Sequence, residues 1–165
     1  MATTILETVH GSHLYGLNYS GSDRDFFRVV STTRGGRTKA TVKGDLDQVV
    51  MPLDRFLENI FSGSHQSCEA LWSPVATVHP NYAPMFDNIR VTGADAFARY
   101  RRTIKAFTYG TEKQRRHAVR LGFNLMDLRT HGRFNPTLTP DQRTKVVVLS
   151  QLYWGESLYD IAINL

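Results

Sequence analysis

Two aspartates one residue apart, Asp23 and Asp25, are the strongest chemical signal in this sequence. They stand at the start of a run rich in aromatic and β-branched residues, positions 25–30, which predicts a strand. Side chains alternate along a strand with a period of two, so both carboxylates are expected on one face. Carboxylates held this close repel each other and are stabilised by a cation between them, and their oxygens suit Mg²⁺. The pair therefore predicts a divalent-metal site; a turn in which both acids cap backbone groups is the alternative.

A glycine and a serine, Gly11 and Ser12, follow the first predicted strand, positions 5–9. A strand that ends in such a turn and leads into a short helix offers backbone N–H groups and a hydroxyl, the components of a phosphate site. A glycine that only relieves steric strain in the turn is the alternative.

Asp47 is the candidate for a third metal ligand, in a further predicted strand at positions 45–51. From a strand beside the first two acids it could coordinate one metal ion and take a proton from an incoming hydroxyl. Asp45 stands two residues earlier on the same face and competes for this role. An exposed aspartate on an edge strand is the other interpretation.

A line of polar side chains runs along a predicted helix at positions 112–130. Lys113, His117, Arg120 and Asn124 are spaced i, i+4, i+7 and i+11, so at about 100° per residue they fall within an arc of roughly 60°. This arc borders the apolar face formed by Ala118, Leu121, Leu125 and Leu128. Residues in that position can reach into a cleft to hold a triphosphate; a solvated helix side with a satisfied histidine is the alternative.

The elements that must position these residues are strands first and helices last, which predicts an α+β fold. Residues 1–75 are expected to form an α/β core, and residues 76–165 a helical half packed on it as one unit, joined by a proline-punctuated connection. Gly35 and Gly36 could turn a hairpin whose second arm is residues 39–42. Helices are predicted at positions 53–61, 66–72, 94–109, 112–130 and 140–154, before a terminal apolar segment.

The composition narrows the class of protein. Hydrophobic residues make up 41% of the 165 residues, enough for the core of one globular domain. The formal net charge of +5 favours anionic partners such as nucleotides or nucleic acid. The single cysteine, Cys68, rules out an internal disulfide, and its apolar neighbours predict a buried side chain.

The N-terminal residues resemble neither a signal peptide nor a membrane span, so we expect a cytoplasmic protein with no membrane contact. The sequence has no Gly-Lys-Ser/Thr loop, which argues against a P-loop NTPase.

Five motifs stand in a fixed order along the chain. They are GSHLYG at 11–16, SDRD at 22–25, Asp47 six residues before LDRFL at 53–57, EALW at 69–72 and KQRRHAVR at 113–120. In these motifs the chain resembles the polymerase-β-type nucleotidyltransferase superfamily, and most closely the predicted nucleotidyltransferases of phages and bacteria, including the RNA-ligase-associated type. The resemblance covers most of the chain. The chain departs from the family at Phe27, where members often carry arginine.

The resemblance implies a small nucleotidyltransferase core with a mixed, twisted sheet flanked by helices, and a helical C-terminal half that closes over the cleft. It implies Mg²⁺-dependent transfer of a nucleoside monophosphate from an NTP, with ATP as the default, to an acceptor hydroxyl with release of pyrophosphate. The implied catalytic and metal-binding residues, for two Mg²⁺ ions or Mn²⁺ in their place, are Asp23, Asp25 and Asp47, with Asp47 favoured over Asp45. The implied nucleotide-binding residues are Gly11, Ser12, Lys113, His117 and Arg120.

The acceptor left open by the resemblance is RNA or protein, and the compartment is the host cytoplasm if the gene is viral. Two other functions stand beside this one. The first is a non-catalytic nucleic-acid-binding or regulatory, antitoxin-like protein that keeps the fold. The second is a nucleotide transferase that modifies one partner protein and is inert without it.

Overall fold

A five-stranded mixed sheet forms one layer of the fold in the computed structural model, which describes residues 2–44 and 46–165. The strands are β1 (Thr4–His10), β2 (Arg24–Val30), β3 (Lys39–Lys43), β4 (Leu46–Pro52) and β5 (Thr77–Val78), in the order β3-β4-β2-β1-β5. Strands β2 and β4 are parallel neighbours, whereas β1 pairs antiparallel with β2 and with β5. The chain is therefore α+β with a mixed sheet, as the order of predicted elements indicated.

Eight helices complete the described part of the chain. They are α1 (Gly11–Tyr15), α2 (Leu53–Phe61), α3 (His65–Leu71), α4 (Ala83–Asp87), α5 (Ala94–Thr108), α6 (Glu112–His131), α7 (Pro140–Leu152) and α8 (Gly155–Ile163). Helices α2 and α3 contact the sheet, and α6 packs against α5, α7 and α8. No helix among the described residues has the length and apolar character needed to cross a membrane.

One hydrophobic core joins the sheet to the C-terminal helices. It contains Ile5 and Phe27 from the strands, Phe56 from α2, and Tyr100 and Leu121 from α5 and α6. The side chain of Phe27, at the position where arginine was expected from the resemblance, is 2% exposed and belongs to this core. Both halves of the chain therefore bury their apolar faces against each other.

Two local predictions differ from the structure. Strand β3 pairs antiparallel with β4, so the hairpin turns near Gly44, whereas Gly35 and Gly36 lie in a short 3₁₀ turn before β3. The connection after α3 contains β5 and α4, which were not predicted, because a two-residue strand leaves no alternating pattern to detect. Asp45, the competitor of Asp47, lies outside the described residues.

Candidate functional site

A cleft of about 720 Å³ opens where β1, β2 and β4 meet the N-terminal half of α6. All eight residues predicted to form the site line this cleft: Gly11, Ser12, Asp23, Asp25, Asp47, Lys113, His117 and Arg120. They come from five separate elements or turns, with about a hundred residues of chain between the first and the last. Tertiary folding therefore gathers the predicted residues in one place.

The carboxylates occupy one wall of the cleft. Because β2 and β4 run parallel in register, Asp25 is the direct neighbour of Asp47, and on its other side it pairs with His10 of β1. Asp23 immediately precedes β2 and is exposed, whereas the side chains of Asp25 and Asp47 are half-buried. The sequence-based placement of Asp47 in a strand beside the first two acids agrees with this register.

The pKa of Asp25 is raised by its surroundings, which include two further carboxylates. Burial raises the pKa of its carboxyl, and the neighbouring charge of Asp47 raises it further. Asp23 acts in the same direction, while His10 opposes the shift. A cation bound between the carboxylates would remove this repulsion.

Gly11 brings the backbone of the turn directly against Asp25. Its φ of +64° lies in the left-handed region, and a Cβ at this position would overlap Oδ2 of Asp25. Glycine is therefore required here both for its conformation and for the close approach. Ser12 follows in the first turn of α1, where its carbonyl accepts from the amides of Gly16 and Leu17, both at 3.0 Å.

The polar line of α6 runs from the rim of the cleft into the core. Lys113 is exposed, His117 is half-buried and Arg120 is 1% exposed. The spacing predicted one face correctly, but it could not show that this face tilts inward along the helix. On this helix, the exposed positive charge at the cleft therefore lies at the N-terminal end of α6.

Arg120 lines the inner part of the cleft and is also held by groups of the protein itself. Its guanidinium donates to Oε1 of Glu69 at 2.5 Å and lies over the ring of Tyr15, 3.6 Å from the centroid. It also donates to Nδ1 of His117. Protein groups therefore engage the guanidinium of Arg120 where it lines the cleft, and direct binding of a phosphate by this residue stays a prediction.

The surroundings of His117 favour its neutral form. Burial, followed by the positive charge of Arg120, lowers the pKa of His117 to about 3. Burial likewise lowers the pKa of His65, which also lines the cleft. The neutral form of His117 is therefore favoured in these surroundings, and its part in offsetting phosphate charge stays a prediction.

Two residues of the site were given no role of their own from the sequence, although they stand in the motifs EALW and KQRRHAVR. Glu69 is fully buried and accepts from Tyr15 and Arg120, and its Oε2 lies 3.1 Å from Nε2 of His10. Burial opposes its charged form, but Arg120 and His10 outweigh this effect and hold the pKa of Glu69 well below its usual range. The detectable signal was a glutamate within an apolar segment, between Cys68 and Ala70.

Arg116 is the second residue of the site to which the sequence gave no individual role. It lines the cleft, and its guanidinium donates to Oε1 of Glu112 at 2.7 Å, one helical turn earlier. Its Nε is buried without a hydrogen-bond partner among the described residues. Arg116 and Lys113 together therefore give this wall its positive charge.

The donor chemistry of the carboxylate wall fits a hard divalent cation, since all three side chains offer oxygen and two are register partners. Within residues 2–44 and 46–165, however, no three His, Cys, Asp or Glu side chains are arranged as a ready metal cluster. Asp25 and Asp47 are the pair that would hold a cation, with Asp23 at the exposed edge. The carboxylates therefore suit a divalent cation in their chemical type and in the pairing of Asp25 with Asp47.

Comparison with known proteins does not assign the chain to a family. The chain matches no protein-family model, and it matches no curated protein. We therefore base the proposed function on the residues of the cleft and their geometry.

Proposed function

We propose that this protein is a metal-dependent nucleotidyltransferase that moves a nucleoside monophosphate from an NTP to an acceptor hydroxyl and releases pyrophosphate. The observation that carries the proposal is the register pairing of Asp25 with Asp47, with the Gly11 turn packed against the same carboxylate. In this arrangement carboxylates that could bind a metal ion lie beside a turn that could bind phosphate. The order of the sequence motifs, which resembles the polymerase-β-type superfamily, supports the same function.

Each wall of the cleft has its own part in this proposal. Asp25 and Asp47, with Asp23, would hold Mg²⁺, which when bound supplies Lewis-acid stabilisation of charge on the phosphates. Asp47 would also accept the proton of the acceptor hydroxyl. Gly11 and Ser12 would hold the phosphates from the turn after β1, while Lys113 and Arg116 offset the charge of the leaving pyrophosphate.

A transfer assay tests the proposal. The wild type is incubated with each α-labelled NTP, Mg²⁺, and either RNA or cell lysate. We expect label on RNA or on one protein band, and a loss of at least about a hundredfold in Asp25→Asn and in Asp47→Asn. Asp160→Asn, an exposed change on α8, is the matched control and is expected to keep full activity. Undiminished transfer by the two cleft variants would contradict the proposed roles.

One observation favours a second candidate, a regulatory or nucleic-acid-binding protein that keeps the fold without catalysis. Within the described residues the three acids do not form a ready metal cluster, and the net charge of +5 suits a polyanion. Such a protein would bind RNA with a steep salt dependence that is the same with Mg²⁺ and with EDTA. Metal-dependent label transfer in the assay above would exclude it.

A further inference from the structure

The tautomer of His117 can be deduced from its contacts. Nε and one terminal nitrogen of Arg120 lie 3.4 and 3.2 Å from Nδ1 of His117. A guanidinium carries only donors and keeps its proton at any physiological pH. Nδ1 must therefore accept, and the ring proton of a neutral His117 must be on Nε2.

Arg120 is itself fixed by groups from other elements. Glu69 of α3 accepts from its guanidinium, and the ring of Tyr15 from α1 lies beneath it. Tyr15 donates its hydroxyl proton to the second oxygen of Glu69 at 2.5 Å. All three side chains are at most 3% exposed, so Arg120 has no room to turn away from His117.

The opposite nitrogen of His117 is open to the cleft. No described residue forms a hydrogen bond with Nε2. This atom is not one of the fully buried side-chain atoms that lack a partner, so part of its surface is accessible. His117 lines the cleft, so Nε2 reaches solvent there. An N–H at this atom is available to a ligand.

Burial and the charge of Arg120 oppose a second proton on the ring of His117, whereas Glu69 acts in the opposite direction. From α6 itself His117 faces Arg120 and Lys113, from α3 it faces Glu69 and His65, and from α1 it faces Tyr15. The α5 side offers the ring of Phe107, at 5.6 Å between centroids, which carries no charge. The nearest charge is the guanidinium that donates to Nδ1, so a second proton on the ring is opposed.

We propose that Glu69 and Arg120 are positioning residues that hold His117 as a neutral imidazole, with its Nε2 proton directed into the cleft as a hydrogen-bond donor to an anionic oxygen of the bound ligand. The identity of that oxygen as a nucleotide phosphate rests on the proposed function, whereas the tautomer does not. The donor then has the same strength from pH 5 to pH 8, while Lys113 and Arg116 supply the charge.

Nitrogen-15 NMR of the wild type tests the tautomer directly. Two-bond proton–nitrogen spectra of the histidine rings are recorded from pH 5 to pH 8. We expect a protonated Nε2 and an unprotonated Nδ1 for His117, unchanged over the whole range. A proton on Nδ1, or titration of His117 within this range, would overturn the proposal. In Glu69→Gln, which removes the charge that holds Arg120, we expect mixed tautomers; if that variant does not fold, the wild-type spectrum still decides.

Binding of inorganic pyrophosphate in Mg²⁺ buffer tests the donor role. We expect the Nε2 proton signal to shift on binding, and the dissociation constant to rise about tenfold in His117→Phe and to recover in part in His117→Gln, which restores a donor. Equal affinity in the wild type and His117→Phe, or no binding to the wild type, would overturn the donor role. If these results hold but no NTP is turned over, the proposed function fails and the inference stands.

Discussion

Asp25 is enclosed by three different parts of the chain. Strand β4 places Asp47 on one side, β1 places His10 on the other, and the turn after β1 brings Gly11 against the carboxylate. The sequence indicated Asp25 as a ligand from its spacing to Asp23 alone. Its neighbours across the sheet could not be read locally, because pairing between strands depends on the register of distant segments.

Replacement of Gly11 by alanine tests this enclosure. Both Gly11→Ala and Gly35→Ala place a side chain at positive φ, at +64° and +74°, which costs about 1–2 kcal/mol. Only Gly11→Ala adds an overlap with Asp25, since a Cβ on Gly35 meets no atom within 4 Å. We therefore expect a clearly larger loss in the free energy of unfolding, measured with urea, for Gly11→Ala. Equal losses would show that the close approach is unimportant.

Removal of one carboxylate charge should stabilise the metal-free protein. Asp25 is half-buried beside Asp47, so Asp25→Asn relieves a repulsion, by at most about 1 kcal/mol because solvent screens partly exposed charges. We expect a higher Tm for the variant in EDTA. Mg²⁺ should raise the Tm of the wild type and of Asp160→Asn but not that of Asp25→Asn. Thermal unfolding followed by circular dichroism measures both effects, and an equal response to Mg²⁺ would argue against the metal site.

Helix α6 is the element that connects the cleft to the core. Its N-terminus carries Lys113 and Arg116 at the rim, and Leu121 and Leu125 are buried further along. It begins with a capping box in which Thr111 accepts from the amide of Gln114 and the Gln114 side chain accepts from the amide of Thr111. The positions of the cationic side chains therefore depend on a well-formed first turn of α6.

A matched pair of cap variants tests this dependence. Helix α7 begins with the same device, formed by Thr139 and Gln142. We expect Thr111→Ala and Thr139→Ala each to lose about 1 kcal/mol of unfolding free energy. Only Thr111→Ala should weaken binding of pyrophosphate, measured by calorimetry, because only its helix carries Lys113 and Arg116. Equal weakening in both variants would place the binding residues elsewhere.

At the scale of the whole molecule, a buried ion pair holds the sheet layer and the helical layer together. Glu69 on α3 joins Arg120 on α6, Tyr15 on α1 and His10 at the end of β1. Both charges are at most 1% exposed, so each is stable only with its partner present. Three of the four side chains in this network, His10, Tyr15 and Arg120, also line the cleft.

Loss of one member of the pair should be severe. We expect Arg120→Met to cost about 3–5 kcal/mol of unfolding free energy, because Glu69 then loses the guanidinium that offsets its buried charge. The double variant Glu69→Leu with Arg120→Met should be more stable than Arg120→Met. Urea unfolding of the three proteins measures this coupling, and strictly additive losses would contradict it.

The pair also predicts how the fold responds to acid. The pKa of Glu69 is lower in the folded chain than its ordinary value of 4.5, so its stabilising effect is complete above that pH and declines as the pH falls below it. We expect the wild type to lose stability between pH 4.5 and pH 2 more steeply than the double variant that lacks both charges. Tm values across this range provide the measurement, and parallel curves would contradict the ion pair's role.

The sequence by itself determined the chemistry-bearing residues and most of the elements. Asp23, Asp25, Gly11 and Lys113 were predicted from residue type and spacing, whereas Asp47 was preferred to Asp45 on the family resemblance. Helix α2 has the predicted bounds. Cys68 was expected to be buried, and it is. These properties depend on short segments, where the period of two or 3.6 and the chemistry of a turn act locally.

Tertiary structure alone decided how those residues meet and which of them are free. The parallel register placed Asp47 beside Asp25, and the tilt of α6 buried Arg120 while it left Lys113 at the rim. Glu69 stands in the motif EALW, but only the fold makes it the partner of Arg120 from 51 residues away. A buried charge requires a partner wherever the fold can bring one, so these assignments follow from packing and desolvation, which no local pattern encodes.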